Sequence, residues 1–227
     1  MRLTSTGFTV FLGIAFVLCS GTFSSAGILA LHPDAVDDVN GFPARGAAGG
    51  NSGPGLAILD VTIEYAVFTA ADFTSNFGGE GYVPTGPLVY AYQVFVNDPP
   101  SNVTVDTQLV LQATGTTDAA PGSFTANGTG DKAPSSTVFS GNIAQWFFAG
   151  GQSIAPGESS YGMAFSSTNV PEFPFTTNQG QAESINGETA GAAVHVPSNT
   201  VFVPEPTTLI LVTLSLLGIS WRRRKRT

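Results

Sequence analysis

The chain has a single cysteine and almost no positive charge in its interior. The cysteine is Cys19, inside an N-terminal apolar run. A disulfide framework and a thiolate metal site are therefore excluded from the rest of the chain. Of the eight Lys and Arg residues, only Arg45 and Lys132 lie between Gly27 and Val203. That stretch holds every acid except Glu205, fifteen of sixteen, and its net charge is −13. A body this acidic is repelled by nucleic-acid phosphates and gains no counterion-release term, so nucleic acid is excluded as a partner. Histidine is scarce too, with two in the chain. Charged residues make up 11% of the sequence and glycines number 27, which points to short strands joined by loops rather than long charged helices.

What is present falls into three parts. Residues 1–26 read as a secretory signal peptide: a positive start at Met1–Arg2, then the 11-residue apolar core FTVFLGIAFVL, then SSAG. Ser24 and Ala26 occupy the small-residue positions, and the cut is expected between Ala26 and Gly27. Leu18 before Cys19 does not suit lipoprotein processing, which wants a small residue there.

The last part, residues 204–227, begins with Pro204-Glu205-Pro206. The apolar run that follows, Thr207 to Trp221, has 15 residues. As a helix it would be roughly 22 Å long at about 1.5 Å per residue, short of a hydrocarbon core about 30 Å thick. Trp221 suits the membrane interface, and the basic residues beyond it can snorkel. The cluster Arg222, Arg223, Arg224, Lys225 and Arg226 should hold that end in the cytoplasm. The two prolines keep the helix from running back into the body. They leave an extended segment at the membrane surface, which a processing protease can reach.

These three features, in this order, resemble the PEP-CTERM sorting signal. The resemblance implies processing by exosortase, an integral-membrane cysteine protease related in action to transpeptidases. It implies a single transmembrane helix before cleavage and a final place at the surface or outside the cell. It also implies a bacterial source that makes exopolysaccharide and biofilm. The sorting motif itself would be Pro204, Glu205 and Pro206, with the basic cluster 222–226 setting topology.

The body, residues 27–203, has the patterning of an all-β domain. Ala57–Thr69, Leu88–Asn97, Val103–Ala113 and Tyr161–Ser167 alternate apolar residues with a period of two. Thr137–Ser140, Ile143–Phe148, Ala192–Val196 and Thr200–Val203 are shorter candidates. About eight strands, each with one apolar face, are most economically joined as an antiparallel β-sandwich. No helical period of useful length is seen in the body. Pro156-Gly157-Glu158 resembles a turn of bacterial immunoglobulin-like and fibronectin-like surface domains, and the resemblance implies the same architecture. Asp34–Gly55 and Phe173–Gly191 lack regular patterning. The glycine-rich RGAAGGNSGPG reads as flexible, so residues 27–55 are expected to form a flexible N-terminal part.

The body shows little catalytic chemistry. His32 and His195 stand in no metal-ligand spacing. His195 lies between Val194 and Val196, and alternation sends it away from the core. Gly157-Glu158-Ser159 lacks the second glycine of a nucleophile elbow. The glycine-rich stretch has no Gly-Lys-Ser/Thr and is no phosphate loop. Asp37 and Asp38 are adjacent, but sequence places no two acids across a sugar. Asp38, Asn40 and Gly41 partly match a calcium loop, with Val36 at the first ligand position and no closing glutamate. Asn102 and Asn127 begin Asn-x-Thr triplets, which in a bacterial protein read as chance. Trp146 and Phe148 share one face, and such residues in a sandwich belong to the core. A sugar-stacking platform is the alternative.

No cofactor and no metal is expected. The resulting expectation is a non-catalytic exported protein, handed to exosortase and associated with exopolysaccharide. A carbohydrate-binding module is the alternative, and a secreted hydrolase a further one.

Overall fold

The computed structural model describes residues 28–79, 81–125, 132–173 and 179–203. Along the chain these form β1 (Arg45–Asn51), β2 (Asp60–Thr69), α1 (Ala70–Phe77), β3 (Leu88–Val96), β4 (Thr107–Leu111), β5 (Gly122–Phe124), β6 (Ser136–Ser140), β7 (Ile143–Phe147), β8 (Gly162–Ser167), β9 (Asn169–Glu172), β10 (Gly180–Glu183), β11 (Thr189–Ala192) and β12 (Val196–Val201). One five-stranded sheet runs β1-β2-β3-β8-β5, a second runs β11-β10-β4-β7-β6, and β9 pairs with β12 in a small ribbon. Every strand pairing is antiparallel.

The two large sheets enclose one core, as the alternation requires. Val61, Ile63, Tyr65 and Val67 of β2 and Tyr90, Tyr92 and Val94 of β3 point inward with Phe165 of β8. Val110, Ala144, Trp146, Ala182 and Ala190 meet them from the second sheet. The small alanines opposite the large aromatics let the two layers interdigitate. Tyr90 and Phe165 stack with ring centroids 5.3 Å apart.

The outer face of the first sheet is also dry. Ala66, Phe68, Val89, Ala91 and Ala164 form a second cluster, roofed by Leu29 and by Phe73 and Phe77 of α1. This explains why β3 is buried on both faces along most of its length. It also corrects the expectation of a body without a helix. α1 has eight residues and only two apolar anchors, four apart and therefore on one side. That is too short to register as a period. Its start is local chemistry: the Thr69 hydroxyl oxygen accepts from Asp72 N at 3.1 Å and donates to the Asp72 carboxylate at 2.6 Å.

Three further expectations are corrected. RGAAGGN is no linker but edge strand β1, paired along its whole length with β2. Its glycines answer to close packing. A Cβ on Gly46 would lie 2.7 Å from the Tyr65 hydroxyl, and one on Gly50 would lie 2.4 Å from the Gly191 carbonyl oxygen. The Phe173–Gly191 stretch likewise contains β10 and all of β11 but its last residue. The expected strand Ala192–Val196 is divided, since β11 ends at Ala192 and β12 starts at Val196. The signal segment and the C-terminal apolar run lie outside the described residues. No described helix is long and apolar enough to cross a membrane.

Candidate functional site at the C-terminal exit of the body

The last strand, β12, belongs to neither large sheet. Its pairing with β9 has an irregularity between Pro197 and Val201, as expected where a proline removes a ladder donor. Side chains supply the missing hold. The Thr114 hydroxyl donates to the carbonyls of Pro197 and Ser198, each at 3.2 Å. Asn169 Nδ2 donates to the Ser198 carbonyl at 2.7 Å. The Tyr90 hydroxyl fixes Asn169 in turn, donating to its carbonyl at 2.8 Å. Beyond the strand, Phe202 N donates to the Thr168 carbonyl at 2.6 Å, and the Phe202 ring packs against the main core. Val203 is exposed. The chain is thus fixed as far as Phe202 and free of the body one residue later.

Just before β12, His195 is tied down from both ends. The Tyr92 hydroxyl donates to its carbonyl at 2.7 Å. Its Nε2 lies 3.3 Å from Asp38 Oδ2. Asp38 Oδ1 accepts from Asn40 N at 2.8 Å and Phe42 N at 3.0 Å, closing an Asx-type turn. Val39 N donates to the Pro171 carbonyl of β9 at 2.9 Å. The turn at residues 38–42 therefore staples the N-terminal segment to the exit ribbon. Contrary to the alternation argument, His195 is buried, with its ring 5.2 Å from Tyr65 and 5.1 Å from Phe173. Alternation failed because the strand it assumed ends at Ala192.

The charges of this pair follow from its surroundings. Burial pushes the Asp38 carboxyl up. The N–H groups of Phe42 and Asn40, with the imidazole of His195, outweigh that and hold it below its ordinary range. Burial lowers His195, and Asp38 opposes the shift only in part. At neutral pH the pair is a carboxylate accepting from a neutral imidazole. Nδ1 of His195 is buried without a hydrogen-bond partner, so no nucleophile is hydrogen-bonded to it.

The other sequence candidates serve the fold. Asp38 spends its carboxylate on its own turn and on His195, and no group of three or more potential metal-binding side chains occurs among the described residues. Trp146 is fully buried, and its Nε1 donates to the Gly122 carbonyl at 2.8 Å, so its face offers no sugar platform. Ser159 sits in the turn after Gly157, where Glu158 accepts from Ala155 N at 2.9 Å and pairs with Lys132 at 3.2 Å. His32 packs edge-on against Phe68 with centroids 4.9 Å apart. Asn102 has both ends of its amide engaged, accepting from Ile58 N at 2.7 Å and donating to the Leu56 carbonyl at 2.8 Å. Sequence reading missed one polar cluster, in which Asp118 accepts from the Tyr82 hydroxyl at 2.6 Å, from the Thr85 hydroxyl and from Ser166 N. It ties two loops to β8, and no histidine faces it.

Pro204, Glu205, Pro206, Arg222, Arg223, Arg224, Lys225 and Arg226 lie outside the described residues, as do Ala26 and Gly27. A folded β body that releases its chain directly into a Pro-Glu-Pro, an apolar run and a basic cluster defines an exported protein carrying its own sorting signal. The family model of the PEP-CTERM protein-sorting motif matches residues 202–225, and the chain carries that motif. Through it the chain is marked as an exported protein sorted by exosortase. Comparison with curated proteins and with solved structures found no match.

Proposed function

We propose that this chain is a non-catalytic surface or extracellular-matrix protein. Its precursor is cleaved between Ala26 and Gly27, held in the inner membrane by the 207–221 segment, and cut by exosortase near Pro204-Glu205-Pro206. The released body associates with exopolysaccharide. The observation that carries this reading is the position of the sorting motif, which starts at Phe202, the last of the described residues packed against the core. The motif thus begins at the end of the folded body, so that cleavage there would release the body whole. The bonded histidines and scattered acids of the body support a non-catalytic role.

Fractionation of the producing cells tests this reading. Replacing Pro204, Glu205 and Pro206 with alanine should leave the chain in the inner membrane at precursor size. The wild-type body should co-sediment with exopolysaccharide and leave that fraction when the polymer is digested. Export of the alanine variant at mature size would defeat the sorting role assigned to the motif. Failure of the body to bind the polymer would defeat the matrix association alone.

A further inference from the structure

We propose that β6 is a self-pairing edge, through which two copies of this body join their second sheets into one continuous antiparallel sheet. The sheet order leaves four edges: β1 and β5 in the first sheet, β11 and β6 in the second. Three are accounted for. β1 and β11 close on each other where Gly50 meets Gly191. β5 has three residues, and its Gly122 carbonyl is taken by Trp146. β6 is the fourth.

The hydrogen-bond phase shows what β6 offers. It pairs with β7 through a two-residue turn, Gly141-Asn142, with Gly141 at φ +60°. A turn of this kind makes Ser140 and Ile143 a bonded pair, and bonded pairs then recur at Val138–Gln145 and Ser136–Phe147. Neighbouring bonds agree. Phe147 O accepts from Ser135 N, on the β6 side, while Asn142 O and Phe148 N bond Ala113 and Asp106, on the β4 side. The N–H and C=O groups of Thr137 and Phe139 therefore point away from the sheet, with no partner among the described residues.

That pair of residues is complementary to itself. A two-fold axis through Val138 would set Thr137 opposite Phe139 of the second copy, and Phe139 opposite its Thr137. Both are outward-pointing residues, so each pair exchanges two backbone bonds. The two Val138 residues then meet as a non-bonded pair, where side chains come closest. Val138 is the exposed apolar residue of this strand, 39% accessible, and the contact would bury it. Ser136 and Ser140 flank it on the same face.

Charge on the strand does not oppose a second copy here. The body carries −13, yet no Asp, Glu, Lys or Arg occurs between Lys132 and Glu158, a stretch that contains both β6 and β7. The strand also lacks the devices that keep exposed edges apart, namely a central lysine, a proline or an inward charge.

Sedimentation of the exported protein, recovered from cells, tests the proposal. The wild type should reach a dimer in the micromolar range. Val138→Glu should be monomeric, because like charges would sit directly opposite each other, with an unchanged circular dichroism spectrum and the unfolding midpoint that the wild type shows when diluted to monomer. Val138→Cys should form a reducible dimer, since a non-bonded antiparallel pair separates Cα atoms by about 4.5 Å, within disulfide reach. Leu56→Cys, more exposed than Val138 but on a loop far from β6 in sequence, should not. A monomeric wild type would overturn the proposal. So would a dimer that Val138→Glu leaves intact, or one in which Val138→Cys forms no cross-link.

Discussion

Gly50 of β1 lies so close to Gly191 of β11 that a Cβ on Gly50 would approach the Gly191 carbonyl oxygen to 2.4 Å. The contact is backbone against backbone and closes one side of the sandwich. Gly50→Ala should therefore destabilise the body by about 1–3 kcal/mol, the usual cost of overpacking. Urea unfolding would show this as a lower midpoint with an unchanged slope.

Trp146 joins packing and hydrogen bonding at the centre of the core. Trp146→Ala removes a fully buried ring and leaves the Gly122 carbonyl without its donor. A loss of about 3–5 kcal/mol is expected. Trp146→Phe keeps most of the packing but not the bond, and should fall between wild type and alanine in thermal unfolding. Equal losses in the two variants would mean that packing contributes little.

The Asp38–His195 pair gives a pH signature with a defined sign. A lowered histidine pKa means that the unfolded chain binds the proton more readily. Its contribution is present above the ordinary value of about 6.5 and is lost as pH falls through the lowered folded value. His32 is lowered as well, chiefly by burial, so it acts in the same sense. Asp38, also lowered, adds a second loss below about pH 3.9. Because Asp38 raises His195, Asp38→Asn should drop the His195 titration further, read by NMR of the imidazole protons. A His195 titration that moves up in this variant would refute the assignment.

The exit clamp makes a local prediction. Thr114→Val removes the hydroxyl that donates to the Pro197 and Ser198 carbonyls. Hydrogen exchange at Phe202 N, bonded to Thr168, should accelerate while the core amides stay protected. Global stability should change by no more than about 1 kcal/mol per bond. Unchanged exchange at Phe202 would show that the clamp does not hold the exit.

The legible parts of this molecule are those whose cause lies nearby in the sequence. β2 and β3 were visible because alternation records a buried face. Trp146 was placed in the core by the same rule. The sorting segment was visible because a linear motif needs no partner elsewhere. β1 was hidden because its glycines answer to Tyr65 and Gly191, distant in sequence, and so read as a linker. α1 was hidden because two phenylalanines make no period. Alternation misplaced His195 because a strand break at Ala192 left no mark in composition. The grip of Thr114 and Asn169 on the last strand, and of Tyr92 on the residue before it, arises only once the chain has folded.

The central claim is that the chain is a folded body between two removable ends. Intact-mass spectrometry of the protein at the cell surface tests it most directly. The account predicts a polypeptide beginning at Gly27 and ending close to Pro204-Glu205-Pro206, without Arg222, Arg223, Arg224, Lys225 or Arg226. A surface protein whose mass still includes that basic cluster would contradict it.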